Sequence, residues 1–220
     1  MDYNPPSTPM DIIYKDNDII CVNKPSGLLS VPGKLYPDCL ESRLRAIFPE
    51  ILTVHRLDMS TSGVMVFARS KPAQRHLGIQ FEKRHLRKRY IARIQGHIRG
   101  ESGRINLPLR TDWPNRPKQM VCFEKGRPSQ TDWALVSKDR HLSKILLFPR
   151  TGRSHQLRVH LLAIGHPILG DEFYAPQAAK DAAERLQLHA LSLDLRKPSD
   201  GSWLHPVSYT HLTLPTTSRV

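Results

Sequence analysis

Cysteine is scarce in this 220-residue chain: Cys21, Cys39 and Cys122 are widely separated and odd in number. They offer neither a disulfide framework nor the spacing of a zinc site, which fits a reducing, cytoplasmic compartment. Acids are also thin, with 20 Asp and Glu against 33 Lys and Arg, a net charge of +13. Such an excess favours a polyanionic partner, nucleic acid or an anionic membrane surface. Long apolar runs are missing as well. Gly63 to Ala68 and Ile145 to Phe148 are far too short to cross a bilayer. The opening Met-Asp-Tyr-Asn-Pro-Pro-Ser-Thr-Pro lacks the basic and apolar regions of a signal peptide. There is no Walker loop, no Gly-x-Ser-x-Gly elbow and no Gly-x-Gly-x-x-Gly turn. His55, His155, His160 and His166 lack the carboxylate or cysteine companions of a metal site, so no metal is expected.

What is present, 39% apolar and 24% charged residues, is ordinary for one folded domain with a sizeable core. Residues 1–10 are Pro-rich and read as a flexible arm, and residues 11–207 as a single domain in two halves. Ile12 to Lys15 and Ile19 to Asn23 flank the turn cluster Asp16-Asn-Asp18, a hairpin pattern. A helix is expected from Leu40 to Phe48, and a buried strand over Gly63 to Ala68. Ser70 can cap a helix with Pro72 in its first turn. Further strands fit Tyr90 to Gln95, Trp133 to Val136, Ile145 to Phe148 and Leu188 to Leu195. Between Arg104 and Arg127 the chain is rich in Pro and Gly, with six Lys or Arg against two acids, the composition of arms reaching for a partner. Ser154 to Ile164 reads as a helix capped by Ser154, with Leu157, Leu161 and Ile164 on one face. Strands mixed with few helices indicate α+β.

Three places gather reactive side chains. In Val54-His-Arg-Leu-Asp-Met-Ser-Thr-Ser-Gly-Val64 a carboxylate follows a strand and precedes a buried one, which would hold Asp58 rigidly at a cleft. A lone Asp in such a place is more often a turn former. In Pro149-Arg-Thr-Gly-Arg-Ser-His-Gln-Leu-Arg158 arginines crowd a helix start, where anions are already favoured. In Arg87-Lys-Arg-Tyr90 a basic run enters a strand with a tyrosine at its mouth.

Taken together, these blocks resemble the large-subunit rRNA (Rlu-type) pseudouridine synthases. Asn23-Lys-Pro-Ser-Gly27, Thr151-Gly-Arg-Ser-His-Gln-Leu-Arg-Val-His160, Gly165-His-Pro-Ile-Leu-Gly-Asp171 and Leu188-His-Ala190 match further blocks of that family in order. The resemblance spans about Ile12 to Asp194. Asp112-Trp-Pro-Asn-Arg-Pro-Lys-Gln119 narrows it to members that act on both 23S rRNA and the tRNA anticodon stem-loop.

The resemblance implies a mixed, largely antiparallel sheet with flanking helices and a central catalytic cleft, no cofactor or metal, RNA as the partner, no membrane, and a monomer needing no protein partner. It implies that Asp58 is the essential carboxylate, Arg153 its ion-pair partner and Tyr90 the ring beneath the base. Leu157 would line the pocket, and Arg56 would fill the gap left by a flipped nucleotide. His55, Arg158, Lys83, Arg84, Arg87, Lys88, Arg89, Arg116 and Lys118 are the remaining expected RNA contacts. A second reading, a non-catalytic RNA-binding or ribosome-assembly protein on the same fold, predicts the same basic surface and differs only at the pocket. After Trp203 the chain leaves the family pattern, and residues 208–220 are expected to be a non-native tail.

Overall fold

The computed structural model describes residues 3–210. β1 (Asp11–Lys15) and β2 (Ile19–Lys24) form the expected antiparallel hairpin. Asp16 closes it, its Oδ1 accepting from the backbone N–H groups of Asp18 (2.8 Å) and Ile19 (2.9 Å). Then come α1 (Leu40–Arg45), β3 (Leu52–Thr53), β4 (Ser62–Ala68) and α2 (Lys71–Lys83). α2 starts as read: Ser70 Oγ accepts from Ala73 N at 3.2 Å, with Pro72 in the first turn. The chain continues through β5 (Arg87–Gln95), β6 (Ser102–Asn106), β7 (Leu109–Thr111), β8 (Gln119–Val121), β9 (Gln130–Asp139) and β10 (Leu142–Pro149). It ends with α3 (Gln156–Ala163), α4 (Gln177–Asp181), β11 (Leu188–Arg196) and β12 (Trp203–Leu204). No helix among the described residues is long and apolar enough to cross a membrane.

The main sheet runs in the order β1-β2-β4-β11-β5-β10-β9-β6, with β3 on β4 and β12 on β11. Every pairing is antiparallel except β4 with β11, which meet in parallel over only Ser62↔His189 and Gly63↔Ala190. This brief contact divides the sheet into two halves. One half buries Ile20, Val22, Met65 and Phe67 against α1; the other buries Ala92, Ile94, Ile145 and Leu147 against Leu157 and Leu161 of α3. Each of the larger of these side chains is worth roughly 1.5–3 kcal/mol on burial, and Tyr90 packs against both clusters. The architecture is the expected α+β one. β7 and β8 form a separate two-stranded hairpin.

Four expectations need correction. Residues 3–10 are not a free arm: Tyr3 Oη donates to Asp38 O (2.9 Å) and accepts from Leu29 N (3.1 Å), and Arg43 holds Pro6 O (2.7 Å). α3 is not capped by Ser154. Its N-cap is His155, in a left-handed conformation, and the preceding turn is fastened by Gln156, whose Oε1 accepts from Thr151 Oγ1 (2.7 Å) and Arg153 N (3.1 Å). Ile164, expected inside, is exposed at the helix end. The boundary at 207 also moves, because Ser208 is buried, its N–H donating to Leu191 O at 2.9 Å. The rest of the expected tail, residues 211–220, lies outside the described residues.

Candidate active site

The segment Leu57–Thr61 links β3 to β4 and is held in shape by the Asn23-Lys-Pro-Ser-Gly27 block. Ser26 Oγ donates to Ser60 O (2.7 Å), Gly27 N to Met59 O (2.9 Å), and Ser30 Oγ to Leu57 O (2.6 Å). Lys24, fully buried, donates from Nζ to the carbonyls of Pro25 (2.9 Å), Leu28 (2.7 Å) and Met59 (2.9 Å). Burial pulls its pKa down to about 7, while the Asp58 charge pulls it up. Lys24 is not among the residues expected at the site, although its block is; a lysine in a loop motif gives no sign in sequence that its amine faces inward.

Asp58 projects from this turn into a cleft of about 830 Å³. Tyr90 and Leu157 line the same cleft, with Leu57, Phe81, Phe173 and Leu188 adding apolar surface. Burial, and then the nearby Asp58 charge, push the Tyr90 phenol well above its ordinary value, so it stays neutral. Lys88 also faces the cleft; burial lowers its ammonium to about 8, helped by the Arg84 charge.

The expected Arg153–Asp58 ion pair is not formed. The arginine beside the carboxylate is Arg158, whose Nη1 lies 3.7 Å from Asp58 Oδ2. The same guanidinium is clamped by Asp171, with Nε to Oδ2 at 2.8 Å and Nη2 to Oδ1 at 2.5 Å. It also lies over the rings of Phe173 (5.0 Å) and Tyr174 (5.1 Å). With only 3% exposure, Arg158 is a fixed charge and not a mobile RNA contact. Arg153 lines the cleft, and its Nε is buried with no hydrogen-bond partner among the described residues.

The other expected contacts divide. Arg56 and Arg116 are exposed on the cleft wall, Arg116 lying 4.2 Å over the Trp113 ring. His55 lines the cleft but is held structurally: Nε2 accepts from Val66 N (3.1 Å) and the ring stacks on Phe81 at 4.6 Å. Burial, with Lys88 nearby, lowers its pKa to about 3 and keeps it neutral. Of the basic run from Lys83 to Arg89, only Lys88 lines the cleft. Arg89 pairs with Asp194 (3.2 Å), Arg87 lies over Trp203 (5.9 Å), and Arg84 closes α2 in a left-handed conformation. Lys118 sits in the turn leading into β8, outside the cleft lining.

A neutral aromatic floor, an ionisable carboxylate on a braced turn and a rim of cations suit a flipped nucleotide of a polyanion. The family model described as RNA pseudouridylate synthase matches residues 18–163. This chain belongs to that family. It is 51% identical over 204 residues to the dual-specificity RNA pseudouridine synthase RluA of Escherichia coli (strain K12), covering 91% of this chain and 93% of the relative. The RluA of Vibrio parahaemolyticus serotype O3:K6 is 51% identical over 215 residues, covering 94% and 86%. Among solved structures, human RNA pseudouridylate synthase domain containing 1 superposes with a TM-score of 0.79 at 31% identity, over 94% of this chain and 86% of that one. The protein is therefore an RNA pseudouridine synthase, an isomerase, as the motif blocks implied.

Proposed function

We propose that this synthase isomerises uridines in both 23S rRNA and the tRNA anticodon stem-loop, with Asp58 as the reacting carboxylate. The observation that carries the role of Asp58 is its place: a half-exposed carboxylate on a turn fixed by buried Lys24, facing Tyr90 across the cleft. The reaction breaks the bond from C1′ to N1, turns the uracil and rejoins it through C5, which gives up its proton while N1 gains one. Attack on the sugar, attack on the base and proton removal all require an ionised carboxylate, and Arg158 supplies the countercharge. Tyr90 and Leu157 give the detached base an apolar bed that keeps water away.

Arg56 fills the space that the flipped nucleotide leaves. Arg153, Arg116 and Lys88, which line the cleft, hold phosphates around it. Dual substrate use rests on the 51% identity to relatives named for dual specificity. The enzyme works as a cytoplasmic monomer and needs no partner protein. Asp58→Asn is expected to abolish pseudouridine formation on both RNAs while leaving RNA affinity within a few-fold, since affinity comes mainly from phosphate contacts. The measurement is pseudouridine mapping after incubation with purified protein free of host enzyme. Turnover by the Asn variant would remove Asp58 from its role, and a product on one RNA alone would reduce the specificity to that RNA.

A further inference from the structure

His155 is one of two non-glycine residues among those described with a positive φ (52°), a conformation that costs free energy and needs a reason. Its ring explains the placement. Nδ1 lies 2.6 Å from Tyr174 Oη, and Nε2 points at Asp58, 3.9 Å from Oδ2. Tyr174 Oη accepts from the backbone N–H of Gln119 at 2.8 Å, at the start of β8. With that N–H as donor, the phenol proton satisfies the network by going to Nδ1, which leaves the imidazole proton on Nε2, toward the carboxylate. Burial pulls the His155 pKa below the ordinary imidazole range, against the Asp58 charge and with that of Arg158, and Asp171 also lies near. The phenol is itself pushed up to about 12, mainly by burial, and so keeps its proton.

We propose that His155 is a positioning residue for Asp58, presenting Nε2–H to the carboxylate in a tautomer that the Tyr174 hydroxyl fixes. The inference rests on the reading of Asp58 as the reacting carboxylate. The resting separation is about 1 Å longer than a hydrogen bond. A rotation of the carboxylate that shortens this distance makes the bond, and a bond made in the reacting state acts on kcat, not on binding. It also ties the catalytic turn to the β7–β8 hairpin, because Gln119, Tyr174, His155 and Asp58 form one file of groups.

The test uses two amides of different reach. His155→Gln can place an N–H near the Nε2 position, whereas His155→Asn reaches only the Nδ1 position. Asn tolerates the left-handed backbone better than most residues, so the Asn variant is expected to fold normally. A hydrogen bond to a charged group is worth roughly tenfold or more in rate. The expected result on a stem-loop RNA is a kcat about tenfold or more lower for His155→Asn, KM within about twofold, and substantial recovery in His155→Gln. Equal loss in both variants, or a change confined to KM, would overturn the proposal. So would wild-type kcat in His155→Asn. Asp58→Asn, run in parallel, keeps the two readings apart: if it is inactive while His155→Asn is normal, only the role of His155 falls.

Discussion

Two arginines five residues apart, Arg153 and Arg158, differ in what surrounds them. Arg158 is clamped between Asp171 and Asp58, while Arg153 lines the cleft wall. A lysine at 158 keeps charge but loses the fork that grips Asp171 bidentately while a third nitrogen faces Asp58. Arg158→Lys is therefore expected to lower kcat by at least about tenfold. Arg153→Lys, which keeps a cation for phosphate, is expected to act chiefly on KM and by only a few-fold. Steady-state kinetics on one stem-loop, with thermal melts as a folding control, decide the matter, and the reverse pattern would restore Arg153 as the carboxylate's partner. Both residues stand out in the motif, but the motif pairs the wrong one with Asp58. The resemblance assigns the partner by its place in the motif alone. In the structure the helix follows a His155 N-cap, Arg158 is buried beside Asp58, and Arg153 lines the cleft. Nothing local encodes that cap, because the side chain that stabilises it, Gln156, also donates to Gln130 O and Thr131 Oγ1 on β9, each at 3.0 Å.

Elements defined by their own sequence are the legible ones. β2 and β4 carry continuous apolar or β-branched runs, β11 alternates apolar with polar residues along most of its length, and α2 carries its Ser-x-Pro start, so their type and rough bounds come from pattern alone. The parallel meeting of β4 and β11 cannot be read, since it joins residues well over a hundred positions apart. Its constraint on sequence is visible only at Gly63. There φ is +116°, and a β-carbon would collide with the backbone of Ala190. Gly63→Ala must therefore strain the backbone and push β11 away from β4, next to the turn that holds Asp58. The two effects together are expected to cost at least about 3 kcal/mol, a fall in Tm of roughly 6–12 °C for a chain of this size. Differential scanning calorimetry reads this directly. A Tm within about 2 °C of the parent would mean that the strand contact is slack, and that the cleft does not depend on it.

At the scale of the whole molecule, the last long strand in sequence is a central strand in space, so the segment after β11 takes part in closing the sheet. Val207 bridges to Ser192, Pro206 O accepts from Leu193 N (3.3 Å), and Ser208 N donates to Leu191 O (2.9 Å). Ser208 O lies 2.9 Å from His189 Nε2, while His189 Nδ1 lies 2.9 Å from Ser62 Oγ, four residues after Asp58. A hydrogen-bonded file thus runs from residue 208 to the start of β4. A fold boundary drawn at 207 from the family pattern therefore falls slightly too early: Ser208 carries no motif, and its contribution is made by backbone groups. The decisive pair of proteins is a chain ending at Val207 and one ending at Thr210. The shorter chain loses the 208 amide and carbonyl, and with them the hydrogen bonds to Leu191 O and His189 Nε2, each worth about 1 kcal/mol. Taking roughly 2 kcal/mol in total, its Tm is expected to fall about 4–8 °C below that of the chain ending at Thr210. Pseudouridine yield should fall with it, because Ser62 then loses its anchored neighbour. The expectation of a dispensable tail predicts that the chain ending at Thr210 matches the full-length protein in both measurements. Equal melting of the two truncations would show that the file from Ser208 to Ser62 contributes nothing to the fold.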